Sequence, residues 1–231
     1  MRNTLVVLLI LGIALVTQSP ISAAEERPTE LKEVLRNQRV TVSTVDLAPH
    51  ESNAMHRHEH DMIAVFVTGG RIRNTVSGKE PAVETTSAGE VRFIPGGYTH
   101  SVSNDGTGLF RAVVVEFDDP QGKLQQDQSS SETCAPGSTK CIDEHYLFCT
   151  VKICVEDVTM APGAISTRHG HPTDHMLVAI SDYELSDEVQ GKDTVKRTRK
   201  SGEIEYIPAG ITHRLTNIGA KPARFIVVLW R

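Results

Sequence analysis

The sequence predicts an all-β protein made of two tandem antiparallel barrels. Three observations carry that prediction. First, adding 113 to residue numbers maps residues 56–115 onto 169–228 without a gap: His56, His58 and Asp61 fall on His169, His171 and Asp174. Gly89, Pro95, Gly97, His100 and Asn104 fall on Gly202, Pro208, Gly210, His213 and Asn217. Self-similarity at one fixed offset marks a duplicated domain. Second, residues 40–47 (VTVSTVDL) alternate apolar and polar side chains, the period of a half-buried strand. Third, Gly69-Gly70, Ser77-Gly78, Gly89, Pro95-Gly96-Gly97 and Asp105-Gly106 cut the chain into short apolar runs, the punctuation of a sandwich or barrel.

In chain order, residues 1–24 read as an export signal. Arg2 is followed by an apolar run from Leu5 to Val16 and by Ser22-Ala23-Ala24, small residues suited to cleavage after Ala24. That run is shorter than the roughly 20 residues a spanning helix needs, and no later segment is apolar enough, so a secreted or periplasmic protein is expected. Residues 25–38 are polar and suggest a short helical lead-in. The first barrel is expected over 39–117, a polar linker over 118–151 and the second barrel over 152–231. The net charge of −5 gives no reason to expect nucleic acid or an anionic membrane as a partner. The basic run Lys196–Lys200 reads as a solvated strand edge, and Glu203, Glu205 and Asp174 read as outward-facing.

Cys134, Cys141, Cys149 and Cys154 all fall in or beside the linker. An even count in an exported chain implies two disulfides, with three pairings open. A four-cysteine zinc site is the competing reading, but the spacings lack the short knuckles such sites use.

Histidines concentrate where the repeats agree. His169, His171 and His175 are separated by even steps, so one extended strand would point them the same way, and His213 follows the Pro-x-Gly turn. Neutral imidazole is the commonest metal ligand, and a buried cluster of it is costly unless something binds there. In the first repeat His56, His58 and His100 recur, with Met62 where the second has His175; His60 lies close by. Four imidazoles against three predict weaker metal binding in the first barrel, because a thioether adds little for a first-row ion. Asn104 and Asn217 are assigned to turn capping.

These motifs carry a resemblance. Gly163-x5-His169-x-His171-x3-His175, then Gly202-x5-Pro208-x-Gly210-x2-His213-x3-Asn217, resembles the paired motifs of the cupin superfamily, and His56 to Asn104 repeats the shape. His50 stands where that pattern has glycine. The resemblance covers about 39–117 and 152–230. It implies two tandem cupin (jelly-roll β-barrel) domains packed about a pseudo-twofold, each holding a divalent metal in its mouth. The family's usual first motif supplies two histidines and a glutamate. Here that glutamate is His175 in one repeat and Met62 in the other, so the second site is similar to the four-histidine manganese cupins.

The functional expectation is a metal-dependent, dioxygenase-like oxidoreductase acting on a small organic molecule, with one or two divalent ions of Mn, Fe, Zn, Cu or Ni. The alternative is a non-catalytic small-molecule-binding or structural bicupin. Fold alone does not separate them, and association into a homo-oligomer is left open.

Overall fold

A computed structural model describes residues 29–125 and 140–231. Their regular elements are strands. The first repeat holds β1 (Lys32–Arg36), β2 (Val40–Leu47), β3 (His56–His58), β4 (Met62–Phe66), β5 (Gly70–Val76), β6 (Ala82–Thr86), β7 (Val91–Ile94), β8 (Tyr98–Asn104) and β9 (Phe110–Phe117). The second holds β10 (Ile142–Cys149), β11 (Ile153–Met160), β12 (His169–His171), β13 (His175–Ala179), β14 (Tyr183–Val189), β15 (Val195–Arg199), β16 (Ile204–Ile207), β17 (Ile211–Asn217) and β18 (Ala223–Trp230). Each repeat folds into a five-stranded sheet facing a four-stranded one. The orders are β1-β2-β9-β4-β7 with β3-β8-β5-β6, then β10-β11-β18-β13-β16 with β12-β17-β14-β15.

Strand alternation divides the apolar residues between two jobs. In β4 all five side chains are buried, because both faces of this strand are covered. Met62, Ala64 and Phe66 point into the first barrel with Val45, Leu47, Phe110 and Ala112. Ile63 and Val65 point out, into a cluster shared with Met176, Val178, Ile226 and Val228 of the second repeat. The two five-stranded sheets are therefore packed face to face, which explains why β4, β9, β13 and β18 read as nearly unbroken apolar runs.

The contact is reciprocal. Arg111 donates to the Ser201 carbonyl at 3.1 Å, and Arg224, its counterpart, donates to the Ala88 carbonyl at 3.1 Å. Each arginine side chain lies over the following glycine, Gly202 and Gly89, where a β-carbon would collide with it. Both glycines also have positive φ, 88° at Gly202 and 82° at Gly89, which L side chains rarely adopt. Residue i of one repeat meeting residue j of the other, and j meeting i, is a twofold contact. The barrels are thus related by an internal pseudo-twofold.

The structure corrects two expectations. Residues 32–36 form no helix: β1 pairs antiparallel with β2, and Leu35 packs against the shared cluster, so tertiary packing overrides a weak helical preference. The linker is shorter than the polar composition of its start implied, because Ile142–Cys149 is a strand paired along its length with β11. Its inward side carries Ile142, Glu144 and Tyr146, which line the second barrel. The cysteines accordingly brace a hairpin. Cys149 and Cys154 face each other across β10 and β11 and are disulfide-bonded. Cys141 is also disulfide-bonded; Cys134 lies outside the described residues, as do residues 1–28 with the expected export signal.

His50 keeps the backbone that its glycine counterpart has, with φ of 69° against 74° at Gly163. Asn104 and Asn217 do the structural work expected of them. Each is buried and donates to two carbonyls while accepting one amide N–H, clamping the turn that leads into the last strand. Among the described residues no helix is long and apolar enough to cross a membrane.

Candidate metal centre

In the first barrel β3 and β8 are neighbours, and register sets His56 directly opposite His100. His58 is two residues along β3, on the same face. The result is a triad of His56, His58 and His100 whose ligand atoms lie within 4.8 Å of one another. The second barrel repeats the construction with β12 and β17, where His169 faces His213 and the triad is His169, His171 and His213. His60 is exposed and joins neither group.

The even-step reading of the second motif needs correction. A turn over residues 172–174 ends β12, and His175 begins β13 in the opposite sheet. It nevertheless returns to the same place. His175 is 1 % exposed and stacks on His171 at 3.9 Å between ring centroids, beside the triad rather than within its 4.8 Å group. Met62 takes the matching position in the first barrel and is equally buried.

Acceptors on the outer nitrogens of His56, His100, His169 and His213 fix which nitrogen of those rings faces inward. Nδ1 of His56 donates to the Ala54 carbonyl at 2.8 Å, and Nδ1 of His169 to the Thr167 carbonyl at 2.9 Å. Nδ1 of His100 donates to Asn74 Oδ1 at 3.0 Å; Nδ1 of His213 donates to the corresponding Asp187 Oδ1 at 2.9 Å. Protons assigned to Nδ1 leave the Nε2 lone pairs aimed inward, the arrangement metal-binding histidines use. His213 Nε2 and both ring nitrogens of His175 are buried without a well-formed hydrogen bond. Buried polar atoms in that condition are rare and call for a partner. A divalent ion of the imidazole-binding class supplies one, so the residues fit a metal.

Around the triads the repeats differ in a correlated way. Asn74 uses its amide to donate to Tyr98 Oη at 2.7 Å. The second barrel has Ile211 in place of Tyr98 and Asp187 in place of Asn74. The carboxylate there is instead held by Arg197, whose Nε lies 2.7 Å from Oδ2. Arg197 also pairs with Glu205, which Arg199 approaches at 2.9 Å. In the first barrel the same two positions carry Glu84 and Arg92, paired at 2.5 Å with the signs exchanged. Arg197 and Glu205 are therefore interior residues, not a solvated edge and an outward carboxylate. Asp174 also has partners: it accepts from Tyr206 Oη at 2.7 Å and Ala209 N at 2.8 Å, and pairs with Arg39 of the first repeat at 3.0 Å. Glu203 caps the turn at Lys200 N. The repeat offset could have exposed the Glu84/Arg197 and Arg92/Glu205 exchange in the sequence; it needed charges compared, not only identities.

The cavities differ more than the ligands do. The second triad opens into a space of about 1040 Å³ lined by apolar side chains such as Leu185, Leu215, Phe225 and Leu229, with Asp187, Arg197 and Glu205 on its wall. At the first triad the cavity is about 70 Å³, room for an ion and a few waters.

Burial and neighbouring imidazoles favour the neutral form of His100, His171 and His175. The value for His100 falls to about 3, that for His175 to about 3 and that for His171 to about 4, burial being the largest cause in each. The sign of the pH effect follows. An unfolded histidine titrates near ~6.5, so below that the unfolded chain takes up protons that the folded one refuses. The stability these groups contribute is complete above ~6.5 and is lost on acidification, by up to about 1.4 kcal/mol per pH unit for each, until the folded values are reached. Urea midpoints of metal-free protein are expected to fall steadily from pH 7 to pH 4; a flat profile contradicts the assignment.

Comparison with known proteins agrees with this architecture. The family model described as the cupin domain matches twice, over residues 43–116 and 156–229. No curated protein matches the chain. Among solved structures the chain is similar to Bacillus subtilis oxalate decarboxylase at pH 4.6, with TM-score 0.58 and 16% identity over 83% of this chain and 68% of that one. A mutant of that enzyme gives TM-score 0.60 at 16% identity, again over 83% and 68% of the two chains. The structure from a study of its Mn(II) centres gives 0.57 at 15% identity with the same coverage.

Proposed function

The chain belongs to the cupin family, and from that premise we propose that it is a metal-dependent enzyme working in its second barrel. His169, His171 and His213 would hold a divalent transition ion there, with His175 poised to complete the set. The observation that carries this reading is the contrast in space, about 1040 Å³ at the second triad against about 70 Å³ at the first. A cavity of the first size accommodates an organic molecule; drug-sized ligands occupy roughly 300–1,000 Å³.

The proposed reaction class is dioxygenase-type oxidation of a chelating small molecule. When bound, the ion would supply Lewis acidity and a place to bring substrate and dioxygen side by side. The chain's own residues set the terms. Asp187 holds the His213 proton on Nδ1, and Arg197 keeps Asp187 charged and oriented by occupying its second oxygen. Leu185, Leu215, Phe225 and Leu229 give part of the wall an apolar surface beside the charged Glu144, Glu156, Asp187, Arg197 and Glu205, which favours a substrate carrying both apolar bulk and polar groups. Those walls exceed what a two-carbon dicarboxylate fills, and neither repeat places a glutamate at the motif position that His175 and Met62 occupy. Both points separate this chain's expected substrate from oxalate. Export is part of the proposal, with a mature chain starting at Glu25.

Metal analysis of protein isolated without a histidine tag tests the reading, and intact mass on the same sample tests the cleavage. About one or two equivalents of a redox-active ion, with dioxygen consumed alongside a bound organic molecule, is the expected result. Metal absent from both barrels would overturn it and favour a binding or structural protein.

A further inference from the structure

The first barrel has Met62 at the position its motif usually gives to a carboxylate, yet it has a carboxylate within reach. On the five-stranded sheet Met62 of β4 lies directly opposite Glu116 of β9. Directly paired residues face the same side of a sheet. Around them β4 and β9 alternate without a break: Ala64, Phe66, Ala112 and Val114 fill the barrel, while Ile63, Val65, Val113 and Val115 fill the shared interface. Glu116 consequently points into the first barrel. Its Oε1 lies 3.2 Å from Nδ1 of His58, a side chain only 4 % exposed.

With Glu116 counted, every ligand of the first triad has an acceptor behind its outer nitrogen: the Ala54 carbonyl for His56, Asn74 for His100 and Glu116 for His58. The second triad has two of three. Leu229 stands where Glu116 would be, and among the described residues no hydrogen bond to His171 Nδ1 is formed. We propose that Glu116 is a positioning residue for the first barrel's metal, holding the His58 proton on Nδ1 so that Nε2 faces the ion. Glu116 does not join the 4.8 Å ligand group, and the separation of 3.2 Å lies off the ideal donor line. An ion drawing on the His58 lone pair would make its N–H more acidic and strengthen this contact.

This inference rests on the first triad binding metal, and the experiment separates the two. Co(II) is titrated into full-length His213→Ala protein, whose second barrel lacks a ligand, and binding is followed by the cobalt absorption bands. Glu116→Leu, copying the second repeat, is expected to weaken binding by about 10–100-fold, the usual effect of removing an outer hydrogen-bond partner of a ligand. Glu116→Gln, which keeps an acceptor oxygen, is expected to recover most of that loss and to leave the band pattern unchanged. A merely structural role predicts no such rescue pattern in affinity. If the His213→Ala parent takes up no Co(II), the first barrel holds no metal and the inference falls with it. Equal affinity in the parent and the Leu variant overturns the role of Glu116 alone. Should the Leu variant fail to fold, Glu116→Ala replaces it, with the same two outcomes.

Discussion

Replacing His213 with alanine is expected to empty the second barrel of metal and abolish turnover, while the same change at His100 leaves turnover largely intact. His213 is the ligand with the most invested in it. It is 3 % exposed, its Nδ1 is held by Asp187, and Asp187 is in turn held by Arg197. Removing the imidazole deletes a ligand from a set of three or four and takes from a buried carboxylate one of its two partners. The loss of affinity should exceed the about 100-fold that changes behind a ligand produce. His175→Ala should give a smaller loss, because His175 stacks on His171 rather than sitting within the triad. Metal content and activity measured on the three variants decide the matter. If His100→Ala loses the catalytic metal and His213→Ala keeps it, the working site is in the first barrel.

Phe117→Ala is expected to destabilise the whole chain, not one barrel. Phe117 is 1 % exposed and meets Trp230 edge-on at 6.4 Å between centroids, so its ring closes the shared cluster from the first repeat's side. Deleting a buried phenylalanine side chain costs about 3–5 kcal/mol. Because the cluster draws on both sheets, unfolding should stay a single transition shifted to lower temperature. Calorimetry resolving two separate transitions in the native protein would show that the barrels unfold independently, contrary to the packing described here.

The histidine pairs, the Pro-x-Gly turns and the capping asparagines were legible because each recurs at one offset, and a strand-turn pattern repeated twice leaves few folds to choose from. Residues 32–36 and 142–149 were harder. Both are mixed edge strands whose pairing depends on partners elsewhere in the chain, which local composition does not reveal. His175 departs from the even-step rule for a related reason: even spacing implies one face only while the strand continues, and the turn at Pro172 breaks it. Glu116 leaves no trace in the sequence as a site residue, and Arg197 shows only as a charge exchanged with Glu84 at the repeat offset. Each is delivered by strand register across a sheet, Glu116 from opposite Met62 and Arg197 from opposite Leu185, and register is a long-range property.

The crossed contacts of Arg111 and Arg224 have a consequence for how the two barrels came to differ. A face that complements itself would, on a single barrel, recruit a second copy, and that union would weaken on dilution. Joining the copies in one chain fixes the partner at an effective concentration in the millimolar range, on the order of what short tethers achieve. Docking then no longer depends on how much protein is present, and a substitution in one half is no longer forced on the other. A symmetric pair of identical barrels must carry every change twice. This chain can keep one barrel closed around its histidines and leave the other open to a guest.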